Sequence, residues 1–299
     1  MNNRDFLGYG TSPPHVRWPG GAGLAVSLVL NVEEGAELSL ADGDAVNESV
    51  HEVTQPVLAA PDLCLASHFE YGTRVGYGRI ASVVAEAGVP MTLNACARSL
   101  IGVPWLAQHA VAQGHEVSCH GWRWESHAGM DEVYERELIA RAHAEITRAV
   151  GVAPVGWHTK SSPSINTRRL LVEHGGFLYD SDAYNDDLPY YLPVGGQPHL
   201  VLPYAFDTND MRFFGTQSFV RGQDFADYVI DAFDCLLRES AHGAKMLSVG
   251  LHLRIIGRAA RIGGLQTALK HMRQSGGEDV WFARRDAIAR HWRQEVPPA

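Results

Sequence analysis

Carboxylates and imidazoles recur in this chain directly after apolar, β-type runs. Glu33 and Glu34 follow LAVSLVLN, His120 follows HEVSC, His158 follows VGW, Asp180 follows FLY, and His252 follows MLSVGL. These side chains exchange protons near neutral pH once their surroundings tune them, so the set reads as an acid–base site. A β-type run followed by a helical segment is the βα unit of a parallel barrel or doubly wound sheet. In such folds the strand C-terminal ends converge on one face, where residues distant in sequence meet. The chain therefore reads as an enzyme.

Each candidate has a plainer alternative. Glu33 and Glu34 suit a general base and an orienting group, or else an exposed acidic loop start. Strand alternation lets at most one of them face a given neighbour. The same alternation turns Cys119 away from His120, so those two are not a nucleophile–base pair. His127 is a second imidazole, but seven residues on in a loop. His252 ends an apolar strand and needs polar partners, of which a substrate proton is one. Arg254, Arg258 and Arg261 suit either contact with an anionic product or solvated helix ends. In the stretch Asp180, Asp182, Tyr184, Asp186, Asp187, one carboxylate can orient an imidazole through its N–H, although a solvated loop has the same look. Glu70 and Arg74, with Gly76 and Gly78 nearby, suit close backbone approach to a ligand. Asp207 to Asp210 has ordinary turn chemistry.

The elements that must position these residues are legible in the pattern. Residues 1–23 read as an extended arm. Strands are expected at 24–30, 91–95, 115–119, 155–157, 177–179, 200–203, 246–251 and 280–283. Helices are expected at 79–87, 104–112, 131–150, 166–174, 224–239, 262–273 and 285–292. The clearest is 131–150, with Asp131 as cap, apolar residues at helical spacing and Gly151 as stop. The polar, acidic run after the first strand reads as a long loop over the strand ends. No linker or repeat divides the 299 residues, and seven or eight βα units make one (β/α) barrel domain.

Composition narrows the partners. Apolar residues make 45% and charged residues 20%, as in an ordinary globular protein, and the net charge of −9 argues against binding a phosphate backbone. The four cysteines are scattered, which reads as separate reduced thiols. The polar, Gly-rich N-terminus has no apolar signal region and no run reaches membrane length, so a cytoplasmic location is expected.

In order, RDFLGYGTSPP with RWPGGA, LNVEEGAE, FEYGTRVGYGR, GHEVSCHGWRW, NTRRLLVEHGGFLYDSDAYNDDLPY, DTNDMRF, SVGLHLRIIGR and IARHW resemble the polysaccharide deacetylase superfamily. They are most similar to its metal-independent allantoinase and cyclic-imide-hydrolase branch. The resemblance implies a distorted (β/α) barrel of parallel strands and a homo-oligomer, a tetramer. In the superfamily's metal-dependent members, an aspartate and an H-x-x-x-H pair hold zinc. Here the acidic motif carries Glu33 and Glu34, and Trp124 stands four residues after His120. An indole nitrogen donates and cannot accept, so one ligand is gone. No required metal is expected unless His127 reaches back.

Without a metal, side chains must activate water and polarise the carbonyl. Glu33 or Glu34 is expected to deprotonate the water, with His120 and His252 stabilising the oxyanion or protonating the departing nitrogen. Glu70, Arg74, Trp124, His158, Lys160, Asp180 and Arg254 are the expected substrate-binding residues. Where the allantoinase-like branch tends to read GWYTGR, this chain reads Gly156-Trp157-His158-Thr159-Lys160-Ser161, so a point charge replaces a planar fork. The expected reaction is therefore broader than allantoin opening: hydrolysis of a C–N bond in a small cyclic amide. The alternatives are a zinc-dependent polysaccharide or peptidoglycan N-deacetylase and an inactive metabolite-binding barrel.

Overall fold

The computed structural model describes residues 4–50, 52–53, 55–214 and 218–298. The first three residues of the arm and His51 of the long loop lie outside them. The chain runs through β1 (Leu24–Val32), α1 (Leu63–Tyr71), α2 (Tyr77–Ala87), β2 (Thr92–Ala95), α3 (Ala97–Gly102) and α4 (Pro104–Ala112). It continues through β3 (Glu116–Cys119), α5 (Glu132–Val150), β4 (Gly156–Trp157), α6 (Thr167–His174), β5 (Tyr179–Asp180), β6 (Tyr190–Val194) and β7 (Gln197–Val201). It ends with α7 (Gly222–Glu239), β8 (Lys245–His252), α8 (Ile262–Gly276), β9 (Val280–Phe282) and α9 (Arg285–Glu295).

Among the described residues these strands form one sheet in the order β6-β7-β5-β4-β3-β2-β1-β8, with β9 beside β1. Eight strands pair in parallel and only β6 runs antiparallel, to β7. β1 is buried along its whole length, LAVSLVLNV, as a strand covered on both faces must be. β8 pairs with it from Leu24 to Asn31, whereas its other edge is shared by β9 at Leu24–Val26 and β2 at Val29–Val32. β4 and β5 are only two residues long. The curl ends in a single parallel bridge, Asn209 to Gly250, instead of a full strand pair. The fold is the distorted (β/α) barrel expected.

The helices wrap the sheet by their apolar stripes. In α5 the Asp131 side chain accepts from the amides of Val133 and Tyr134, Leu138, Ile139, Ala142 and Ile146 are buried, and Gly151 at φ 80° ends the helix. Trp18 of the arm is buried against Trp281 and Trp292, and its indole donates to the Lys245 carbonyl at 2.8 Å. Three elements were not anticipated. The first is α1, which buries only Leu65 and Phe69 and packs under the long loop, not on the sheet. The others are the short α3 and β6, which pairs back onto the expected β7 as a hairpin. Among the described residues no helix is long and apolar enough to cross a membrane.

Candidate active site

β1 delivers two carboxylates to the barrel mouth, and both are buried there. The strand ends at Val32, and the chain then turns through an Ala36 N–H to Glu33 carbonyl bond of 2.9 Å with Gly35 at φ 81°. Strand alternation therefore no longer applies at this point. Glu33 Oε2 accepts from Arg254 Nη1 at 2.6 Å, while Glu34 Oε1 lies 4.0 Å from the same nitrogen. Glu34 Oε2 accepts from the Glu33 amide at 3.1 Å. α1 and α2 are joined by a π-helical turn, Gly72–Gly76, and any β-carbon at Gly72 would collide with the Glu34 carboxylate. Glycine there is what lets a backbone pack against the acid.

Two imidazoles flank Glu33. His120 Nε2 and His252 Nε2 lie 3.5 and 3.4 Å from Glu33 Oε1. His120, just beyond β3, directs Nδ1 at the His158 carbonyl at 2.6 Å, so Nδ1 carries the proton. His252, the last residue of β8, donates through Nδ1 to Asp210 Oδ1 at 2.6 Å. Asp210 Oδ2 also accepts from the His252 and Ile256 amides, at 2.8 and 3.1 Å. The Asn209–Gly250 bridge sets Asp210 there, because Gly250 leaves room for the Asn209 amide and the Tyr204 hydroxyl where a β-carbon would clash.

His158, after β4, lies parallel to His120 with ring centroids 5.1 Å apart. Its Nδ1 is held by Asp182 Oδ1 at 3.0 Å, and the same carboxylate accepts from the Thr159 amide and hydroxyl. The orienting acid in this stretch is thus Asp182 and not Asp180. The Asp180 carboxylate is taken by Arg168, His199 and the Asp182 amide. Glu70 and Arg74 also stand apart, bonded to each other at 3.1 Å on the exposed surface.

The long loop closes over this group through ion pairs. Asp44 binds Arg123 at 2.6 Å, Glu48 binds Lys160 at 2.9 Å, and Glu52 accepts from Arg254 Nε at 3.3 Å. Lys160 Nζ sits 3.5 Å from the centre of the Trp124 ring. The Arg254 guanidinium lies 4.4 Å over Phe69 and 5.3 Å from Trp124. Asp182 was offered only as one member of the acidic stretch, and Asp210, Glu48, Glu52 and Phe69 were not picked out as site residues. Strand-end position does not flag them, because Asp210 sits in turn-like sequence and the others in loop or in α1.

Charge separates the two glutamates. Burial pushes Glu33 up, but the charges of His252 and Arg254 outweigh it and hold the acid well below the usual carboxylate range. Glu34 is raised by burial to about 7, with Arg254 opposing and the Glu33 charge adding to the shift. Burial lowers His252, yet Glu33 and Asp210 carry it to about 10. His158 is lowered by burial in spite of Asp182, which keeps it a neutral imidazole. At neutral pH Glu33 is a fixed carboxylate, His252 a cationic imidazole and Glu34 a poised acid.

The zinc set of the metal-dependent relatives does not fit these residues. Trp124 presents an indole between two cations, and His127 gives Nδ1 to Glu135 at 2.9 Å, beside the Trp157 ring. His252 is committed through Nδ1 to Asp210 and faces Glu33 through Nε2. The Arg254 guanidinium already neutralises Glu33. Among the described residues, no three His, Cys, Asp or Glu side chains are grouped to hold an ion.

Comparison with known proteins gives a consistent family. The sequence model described as polysaccharide deacetylase matches residues 59–172. A putative polysaccharide deacetylase of Schizosaccharomyces pombe is 34% identical across 98% of both chains. Among solved structures, a probable polysaccharide deacetylase from Pseudomonas aeruginosa PAO1 superposes with a TM-score of 0.94 at 45% identity, covering 99% of this chain and 100% of its own. A crystal structure of PuuE allantoinase superposes with a TM-score of 0.95 at 44% identity over 100% of both chains.

Proposed function

Since this chain belongs to the polysaccharide deacetylase family and is a hydrolase of carbon–nitrogen bonds, we propose that it opens a small cyclic amide, a ureide or imide, without a metal. The observation that carries this reading is Glu34. It is a buried carboxyl raised to about 7, and its Oε1 has no hydrogen-bond partner among the described residues. A base with a pKa near the working pH combines a useful ionised fraction with real proton affinity. Glu33 lacks that affinity, because Arg254 and the His252 imidazolium hold its charge.

In this mechanism Glu34 takes a proton from water as the water oxygen bonds to the carbonyl carbon. The tetrahedral intermediate collapses with cleavage of the C–N bond. The nitrogen then recovers a proton from Glu34 or from the His252 imidazolium, whose orientation Asp210 fixes. Glu33 stays an anion and keeps both imidazoles and Arg254 in place. A ring nitrogen flanked by two acyl groups leaves more readily than an ordinary amide nitrogen, which suits a site that has no Lewis acid among its side chains. The whole-length similarity to a protein named an allantoinase supports the small-substrate reading. Lys160 and His158 in the 156–161 loop favour a substrate range broader than allantoin. Glu33, Glu34, His120 and His252 are the proposed catalytic residues, with Trp124, His158, Lys160 and Arg254 lining the substrate.

The test is ring opening by chelator-treated protein, followed by ultraviolet absorbance, on allantoin, hydantoin, succinimide, maleimide and glutarimide. Turnover of one or more, unchanged by added zinc, is the expected result. Silence on the whole panel, with zinc-dependent release of acetate from an N-acetylated sugar, would replace this reading with the deacetylase one.

A further inference from the structure

The most unusual side chain at the mouth is Arg254, whose guanidinium is fully buried. Nε donates to Glu52 at 3.3 Å and Nη1 to Glu33 at 2.6 Å, and Phe69 stacks against its plane at 4.4 Å. Nη2 is buried and has no partner among the described residues, although an unpaired buried guanidinium N–H is costly. The nearby Glu34 Oε1 is the complementary case, a buried acceptor with no partner there and 4.0 Å from Nη1. An orphan donor beside an orphan acceptor is matched by two ligand atoms: an oxygen that accepts a hydrogen bond, and a water or hydroxyl that donates one.

We propose that Arg254 is a catalytic residue whose Nη2–H holds the scissile carbonyl oxygen and stabilises the oxyanion, polarising the carbonyl as a Lewis acid would. This rests on the hydrolase reading above and adds a residue to it. The carbonyl oxygen docks on Nη2 while water docks on Glu34 Oε1, which brings nucleophile and electrophile side by side. As water adds, its proton passes to Glu34 and the carbonyl π pair moves onto the oxygen at Arg254. When the C–N bond breaks, that pair returns to re-form C=O and the nitrogen is protonated. The guanidinium gains and loses no proton. Its own charge is compensated by Glu33 and Glu52, so the site needs no anionic substrate to balance it. With Arg254 at the oxygen, His252 is left to the departing nitrogen.

The experiment compares wild type, R254K and R254A on whichever ring the wild type opens, with circular dichroism to confirm folding. R254K keeps a positive charge against Glu33 and Glu52 but loses the fork, and decides the matter if R254A does not fold. Losing one oxyanion donor is worth about 10²–10³ in kcat, so a fall of that size with KM within about threefold is expected in both variants. Millimolar guanidinium or methylguanidinium is expected to restore kcat of R254A, whereas methylammonium and urea are not. A purely structural arginine would show loss without rescue of kcat. Kcat above a tenth of wild type in R254K, or folded R254A that guanidinium does not rescue, would overturn the assignment. A wild type that opens no ring would instead overturn the reading on which it rests.

Discussion

Asp210 Oδ1 accepts the Nδ1 proton of His252 at 2.6 Å, and its other oxygen accepts the backbone amide of that same histidine at 2.8 Å. One carboxylate thus fixes both the ring and the strand end that carries it. With Glu33 on the opposite nitrogen, the imidazole is raised to about 10 and is cationic at neutral pH. Substituting Asp210→Asn removes one of the two charges responsible. Kcat is expected to fall about 10²-fold or more. The alkaline limb of the pH–rate profile should move to lower pH, because His252 then loses its proton more easily. A limb that stays in place would show that His252 is not the group titrating there.

Glu34 predicts the acid limb. As the base it must be ionised, so kcat/KM should rise with pH through about 7 and fall again as His252 deprotonates near 10. Glu34→Gln should cost about 10²–10⁴ in kcat with native circular dichroism.

The same residue predicts a stability effect of opposite sign. The folded-state pKa of Glu34 is raised above its ordinary 4.5, so the native state binds the extra proton. That contribution is complete below about 4.5 and is lost as pH rises through about 7. At pH 8 the wild type carries a buried, poorly compensated carboxylate, whereas Glu34→Gln does not. The variant should be more stable at pH 8 by on the order of 2 kcal/mol, and the advantage should vanish near pH 4. Urea titrations at the two pH values measure it; equal differences at both would remove the stability cost assigned to Glu34.

Gly72 is the backbone wall against Glu34. A methyl group there meets the carboxylate and has no other direction to go. Gly72→Ala should therefore lower kcat at least tenfold and cost about 1–3 kcal/mol of stability. Wild-type kcat in this variant would mean that Glu34 moves aside without loss and is not the base.

Arg285 does for the barrel wall what strand pairing does elsewhere. It is fully buried, and its guanidinium donates to Ser181, to Ser248 on β8, and to the Leu202 and Pro203 carbonyls after β7. It therefore spans the seam where β7 and β8 fail to pair. Arg285→Ala leaves these acceptors unsatisfied and should cost about 3–5 kcal/mol in thermal or urea unfolding. A loss under 1 kcal/mol would assign closure of the barrel to the Asn209–Gly250 bridge alone.

What the sequence determined is the part governed by local pattern. The apolar runs that become β1 and β8, the capped periodicity of α5 and the Pro104–Ala112 helix all follow from rules acting within about twenty residues. So do the polar residues after each strand, because strand ends in a parallel barrel converge whatever the loops do. Glu33, Glu34, His120, His158 and His252 were legible for that reason, and so was the indole where a metal ligand would stand.

Tertiary structure decided the roles. Which glutamate is a poised base depends on where Arg254 lies, and that residue is 221 positions from Glu33 in the chain. Which aspartate orients an imidazole was not readable either, since Asp180 and Asp182 look alike until Arg168 and His199 claim the first and His158 the second. α1 escaped the pattern because it packs under a loop instead of a sheet and needs only two buried side chains. Asp210 was hidden in turn chemistry until a one-residue bridge to Gly250 placed it against His252. Burial and charge act through space, so the chemistry of each group was set only when the barrel closed.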